Sequence, residues 1–458
     1  RIGGSFAVGT FPVLKYGSLS GAFAGTVVGP RGVTATLAND TVNHIISVTV
    51  SSVGSGIVWT GTNGVSPNLW DLNTTTNWLL GGLPTDYVEN VPPGDAVTFN
   101  DSGSGEVLLS NTVSPASVTI NNAAVDYTFD GTGQITSPGG LTKVGAATVT
   151  MNVPGAFAGD TVLSNGMFNI SANQTFANLS GDSAITAVSG TPTLTINDSL
   201  DTTFAGTIAG ATLTKTGNGV LTLTGSNSLT GNLFAKAGGL ALETGSISAN
   251  SYVSIGQSDT DVGALTLKGA AILATANDFN VGDVGASVGT LNVQDNASLT
   301  VNAFYIGSAN SAGSTASGTV NQTGGTIAVS TANFAIGGRN QDTSVGGIGN
   351  YYLSGGTLNA GGGIRLGGGG VGTLTQTGGT VDCNGDVNIA RYTGGTGTYN
   401  FDGGTLHANN VTSSSQVNAT FNFNGGVLMP RQDSASFVQR LSQANVRDGG
   451  VVVVTTNF

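Results

Sequence analysis

The sequence predicts an all-β protein: a right-handed parallel β-helix, or β-solenoid, with a small N-terminal β-strand module. Three observations carry that prediction. Glycine supplies 74 of the 458 residues, more than twice the usual ~7%. A unit of the form strand, Gly-Gly, strand recurs through residues 263–430 with a constant internal offset. Only one short stretch of the chain has helical apolar spacing.

The recurring unit reads GTVNQTGGTIAV from Gly318, GNYYLSGGTLNA from Gly349, GTLTQTGGTVDC from Gly372, GTYNFDGGTLHA from Gly397 and ATFNFNGGVLMP from Ala419. Looser copies start at Gly263 and Gly289. Successive starts lie 26, 29, 31, 23, 25 and 22 residues apart, yet the turn pair always begins six residues after the start. Chance matches would drift. Within a unit the apolar period is two, and Thr, Val, Leu, Ile, Tyr and Phe suit a half-buried pleated surface. Units of this length hold about three short strands with their turns. They are too short for a propeller blade of ~40–45 residues and lack the helix of other solenoids. Hairpin meanders would need turn pairs at alternating spacing, whereas one Gly-Gly keeps one fixed place. Stacked coils at ~4.8 Å solve the pattern. Leu, Val, Ile and Phe stack inward, while outward Asn and Thr form ladders between coils. About 400 residues at ~25 per coil give ~16 coils, a rod of roughly 75–80 Å, stabilised coil against coil.

In chain order, residues 1–52 read as an N-terminal module of four or five alternating strands, beginning with Phe11, Val13 and Leu14. A boundary near residues 51–55 separates them from a stretch holding all three tryptophans, Trp59, Trp70 and Trp78. Residues 53–262 form the first β-helix part, in which Leu141-Thr142-Lys143 returns as Leu213-Thr214-Lys215, an offset of 72. Residues 263–430 are the Gly-Gly coils. In residues 431–458, Asp433 or Ser434 is placed to cap a short helix through Phe437, Val438 and Leu441 that closes near Gly449-Gly450. A strand-like run, Val451 to Phe458, follows.

Composition excludes several functions. Thirteen Lys and Arg against 25 Asp and Glu give a net charge of −12, which leaves no dense basic surface for nucleic acid. No apolar run is long enough for a spanning helix. The glycines lack a three-residue period, so the chain is not collagen. Charged residues are only 8% and apolar ones 39%, with a mean hydropathy of +0.16, which does not fit a disordered chain. The single cysteine, Cys383, permits no internal disulfide. The first residues, Arg1-Ile2-Gly3, carry neither Met nor signal peptide, as in a processed product or a fragment.

Four stretches resemble a known family. GGLTKVGAATVTM and ATLTKTGNGVLTLTGSNSLTG, followed by AGGLAL, are similar to the repeat of bacterial autotransporter-associated β-strand repeat proteins. The likeness is greatest to the large surface proteins of planctomycete- and verrucomicrobia-like bacteria. WDLNTTTNW with PPGDAVTFND resembles the segment that opens such a passenger. FPVLKYGSLSG with GVTATL resembles one that closes a neighbouring β-helix, and LSQANVRDGG is similar to a late insertion. The resemblance implies a secreted, cell-surface β-helical passenger and no catalytic motif. No translocator barrel follows: Phe458 is a terminal aromatic, but one eight-residue run is not a barrel.

Candidate chemistry is sparse, and no catalytic, cofactor or metal residue is assigned. Asp382 and Asp386, flanking Cys383-Asn384-Gly385, with Arg391 and His407, make a possible acid–base group; solvated turn carboxylates are the plainer reading. Asp259, Asp261, Asp278 and Asp283 are oxygen ligands of the type Ca²⁺ takes, at spacings of no known Ca²⁺ loop. Cys383 reads as a small inward core residue. The glycine runs at 361–363 and 367–370 read as corners, since no Lys-Ser/Thr follows as in a phosphate loop. Asn-x-Ser/Thr triplets recur as Asn- and Thr-rich composition requires. Trp59, Trp70 and Trp78 either stack on sugars from an exposed face or plug the first coil, whose apolar end needs cover. The expected function is a non-enzymatic structural protein, extracellular or on a bacterial surface. It would self-associate head to tail by pairing Phe11 and Val13 of one chain with Val451, Val453 and Phe458 of the next. An adhesin or glycan-binding passenger is the alternative, and a polysaccharide lyase or hydrolase the third.

Overall fold

The computed structural model describes residues 8–21, 25–27, 31–52, 56–90, 92–309, 313–330, 333–339, 346–392 and 394–455. Every regular element among them is a β-strand. The chain divides into two compact units. One comprises residues 1–197 and 205–207, the other 198–204 and 208–458.

In the first unit, β1 (Gly9–Lys15), β2 (Thr34–Asp40) and β3 (Ile45–Ser52) form an antiparallel sheet in the order β1-β3-β2. The sequence led us to expect four or five strands here; three are present among the described residues. Asp40 makes the β2–β3 turn, its carboxylate accepting from the backbone N–H groups of Val42 and Asn43. Arg31, before β2, ties the module to the first coil. Its guanidinium donates to Thr85 Oγ1, to the Asp86 carbonyl and, at 2.6 Å, to the buried Asp95 carboxylate. From residue 56 onward the chain winds as a parallel β-solenoid. The entry is irregular: Trp78 pairs antiparallel to Trp59 before parallel stacking on Val97–Asn100 takes over.

The second unit repeats one coil with little variation. Val371–Gln376, Thr380–Cys383 and Val387–Ile389 are its three strands. They stack parallel and in register on the next coil, with Leu374 on Tyr399, Val381 on Leu406 and Val387 on Val411. Alternation decides the faces: Gly372, Leu374 and Gln376 are buried, the residues between them half-buried. Each fully buried Leu, Val or Phe is worth about 1.5–3 kcal/mol relative to exposure. Aromatics continue the column, with Phe279, Phe304 and Phe334 at centroid spacings of 5.5 and 5.3 Å. Outside, Asn321, Asn292 and Thr266 form one ladder and Asn445, Asn422 and Asn400 another, as the repeats predict.

Polar residues on inward faces are satisfied within the stack. Gln376 donates to the carbonyls of Gly379 and Thr405 and accepts at 2.5 Å from the Tyr399 hydroxyl one coil on. Gln322 and Tyr351 repeat the device. The lysine of each Leu-Thr-Lys motif also turns inward. Lys143 Nζ donates to the carbonyls of Gly145 (2.7 Å) and Asn165 (3.0 Å), and Lys215 Nζ to those of Thr216 and Gly217. Both side chains are buried. Burial lowers both pKa values, that of Lys143 to about 8.

Two glycine columns set how closely coils approach. Gly263, Gly289, Gly318, Gly349, Gly372 and Gly397 stand in register at the start of successive coils. A Cβ on Gly318 would lie 2.0 Å from the Val281 carbonyl oxygen. Gly307, the corner glycine beside it, has φ +64, and its Cβ would meet the Ile348 oxygen at 2.2 Å. The largest differences in unit length are absorbed at this same corner. The connection from the third strand of one coil to the first of the next runs from residues 367–370 in one case to 337–347 in another.

The helix expected after Asp433 does not form. Residues 437–453 instead build one more coil. Val411 N–H donates to the Phe437 carbonyl and Gln439 N–H to that of Val411. Gln443–Val446 lies parallel on Thr420–Phe423, and Val452–Val453 on Val427–Leu428. Local apolar spacing favours a helix, but an open rung offers ladder hydrogen bonds and three apolar columns to extend, and that context wins. No helix among the described residues is long and apolar enough to cross a membrane.

Gly318→Ala is expected to lower the unfolding free energy in urea by about 3 kcal/mol. Gly64→Ala, where a Cβ meets nothing within 4 Å, stays within about 0.5 kcal/mol. For Lys143, the unfolded chain keeps between pH 8 and 10.5 a proton that the folded chain has released. Stability therefore rises with pH across that window, and below it the cost of the buried charge is present in full. Relative to Lys143→Met, wild type should gain roughly 2 kcal/mol from pH 8 to 10.5. Equal pH profiles for the two would contradict the assignment.

Candidate functional site

The tryptophans do not form an exposed platform. Trp59, Trp70 and Trp78 are all fully buried. Their rings meet edge to face, Trp59–Trp78 at 4.9 Å and Trp70–Trp78 at 5.2 Å, and continue through Tyr87 and Phe99 to Phe129. Trp59 Nε1 donates to the Ser104 carbonyl, while the indole nitrogens of Trp70 and Trp78 are buried without partners among the described residues. Sugar stacking on these rings is thereby corrected: they fill the first coil, where aromatic pairs add packing energy beyond their area.

The acidic residues also regroup. Asp382, His407 and Met429 lie one above another on three successive coils. His407 Nδ1 is 3.6 Å from the Asp382 carboxylate and Arg431 is paired with it. Asp386 stands apart, accepting from Asn410, and Arg391 packs on Tyr392. Cys383 is buried, and burial pushes its thiol up to about 11, so it is an inert core residue.

The four aspartates weighed for Ca²⁺ do not converge. Asp261 accepts from the backbone and hydroxyl of Ser258, closing its own turn, and Asp259 packs against Gly285. Asp278 and Asp283 both face Arg339, at 3.4 and 4.0 Å. A guanidinium thus supplies the positive charge between them. Among the described residues no group of His, Cys, Asp and Glu side chains is arranged to hold a metal. Sequence reasoning missed Arg339. It sits in a corner connection, and nothing local marks it as the partner of residues more than 50 positions earlier.

The remaining candidate is the strand edge at each end of the described chain. β1 pairs only with β3, so its outer edge is open among the described residues. Phe11 is half-buried and Val13 is exposed. Pro12 and the register shift at Val13 shorten this edge, a common guard on edge strands. The last coil is less guarded. Val451 is half-buried, while Val446 and Val453 are 68% and 53% exposed. Yet Val446 continues the column of Phe401 and Phe423, and Val453 that of Leu406 and Leu428. These inward columns simply run on to the surface, and among the described residues Gln443–Val446 and Val452–Val453 pair on one side only. Phe458 lies outside the described residues. No family model, curated protein or solved structure matches the chain.

Cys383 is expected to resist a disulfide reagent in the native chain at pH 8 and to react at once in denaturant. Acrylamide should quench the tryptophan fluorescence only on unfolding. Native labelling as fast as that of a free thiol, or full native quenching, would contradict this burial.

Proposed function

We propose that the chain is a non-catalytic structural protein, a β-solenoid subunit that associates with further copies head to tail by β-strand addition. The observation that carries the reading is the last coil, which exposes continuing core columns beside an unpaired edge. Such an edge is a template for another chain. A head-to-tail contact is heterologous and does not close on itself, so repetition gives a filament. The nearest-neighbour construction supports the same reading. Each coil is stabilised by the one before it, and a strand from a second chain laid on the last coil would meet the same kind of hydrogen-bonding edge beside exposed apolar columns. An extracellular or bacterial-surface setting, and kinship with autotransporter-associated repeat passengers, belong to this proposal. The Leu-Thr-Lys repeats support both, together with a fold that needs no disulfide.

Electron microscopy and sedimentation of the purified chain test the reading. Filaments or concentration-dependent oligomers are expected. Val453→Lys at the tail and Val13→Lys at the head should each abolish them without shifting the unfolding midpoint. Monodisperse particles at high concentration would overturn the proposal. Loss of assembly in the tail variant alone would overturn its head-to-tail form.

A further inference from the structure

A cleft of about 710 Å³ opens on the flank of the second unit, where corner connections of several coils come together. Its size lies within the ~300–1,000 Å³ typical of small-molecule sites. Behind it runs an outward column, Phe234, Ser254, Asn280 and Tyr305, on four successive coils. Outward residues of a solenoid are ordinarily wet, yet the last three are 0–7% exposed, because the corners roof them.

Two cations face this cleft in different states of restraint. Arg339 is held on every side but one. Its ring-stacked guanidinium lies 4.5 Å from the Tyr305 centroid, Nε donates to Ser308 Oγ at 2.8 Å, and Nη2 donates to Asn280 Oδ1 at 3.0 Å. Asp278 and Asp283 balance its charge. Nη1 is left without a partner among the described residues. Lys236 sits over the Phe234 ring at 5.6 Å, has no carboxylate partner among the described residues, and lines the same cleft. Tyr252, against Phe234 at 5.9 Å, adds an aromatic wall. Asp283, only 3% exposed, lines the cleft with its Oδ1 buried and turned to Arg339 at 4.0 Å, so its carboxylate serves the guanidinium.

We infer that this cleft binds an acidic saccharide, its carboxylate taken by Arg339 and Lys236 and its ring face by Tyr252. A fixed guanidinium with a free N–H edge suits a carboxylate. An aromatic wall suits the C–H face of a pyranose. Burial holds Asp283 up to about 6 despite Arg339 and the Ser308 hydroxyl, so mild acidification leaves the two cations less compensated. Asp278 faces the same guanidinium, Asp261 turns its carboxylate to Ser258 of its own loop, and Asp259 lies against Gly285. The inference does not rest on assembly, since a single chain holds every group it uses.

Calorimetric titration of the full chain with a galacturonate trisaccharide tests it, beside the carboxyl-reduced neutral trisaccharide and sodium sulfate. Saturable binding of the acidic sugar is expected, with the neutral one at least about tenfold weaker, the worth of one charge-assisted contact. Lys236→Gln should weaken binding about tenfold at an unchanged unfolding midpoint, and Arg339→Lys should do likewise by losing the planar fork. Lys15→Gln, in the N-terminal sheet, should bind as wild type does. The assignment is overturned by an absence of saturable binding, by equal binding of the neutral sugar, by sulfate alone binding as tightly, or by wild-type affinity in both cleft variants.

Discussion

Close approach of one backbone to the next is the constraint from which the rest of this structure follows. Strands stacked parallel and in register must bring like positions together, so whatever serves one coil must serve its neighbours. At the glycines that start the coils from Gly263 to Gly397 the approach leaves no room for a side chain, as the 2.0 Å between a Cβ on Gly318 and the Val281 oxygen makes plain. The glycines recur because their neighbours' carbonyls recur. The same logic selects Leu over Leu, Phe over Phe and Asn over Asn along the axis, since a column tolerates a change only where both flanking coils accept it.

Much of this was legible in the linear sequence, for a physical reason. When contacts fall at a nearly constant sequence distance, periodicity becomes a record of tertiary contact. GTVNQTGG and its copies disclosed strand, turn and face together. The glycine opening each unit was noticed as a marker, but its steric role was not, because that depends on a carbonyl in the preceding coil. Legibility failed where the period ends. Phe437, Val438 and Leu441 carry helical spacing, and only the open rung above Val411 draws this stretch into a further coil, with Val438 bridged to Val411. It failed again at contacts that skip coils: Arg431 reaches Asp382, and Arg339 reaches Asp278 and Asp283, with no sequence offset to announce either pair. The tryptophans were legible as a cluster and as a plug, since the first coil's apolar end needs cover, and their burial bears that out.

The candidate sites divide according to the same geometry. Interior groups such as Cys383, Lys143 and the Gln–Tyr pairs are spent on completing the stack, and their shifted pKa values report burial rather than chemistry. Groups free to meet another molecule lie where stacking stops or is interrupted. One such place is the last coil, where core columns reach the surface. The other is the flank of corner connections, where Arg339 and Lys236 are held but not fully used.

Because the largest changes in coil length in the second unit are taken up at that one flank, the solenoid separates two kinds of variation. Two of its three faces are bound by register, and an added residue there would throw every later side chain onto the wrong side. The third corner accommodates four residues or eleven without disturbing the strands on either side. Novelty can therefore accumulate along a single margin while the scaffold stays constant.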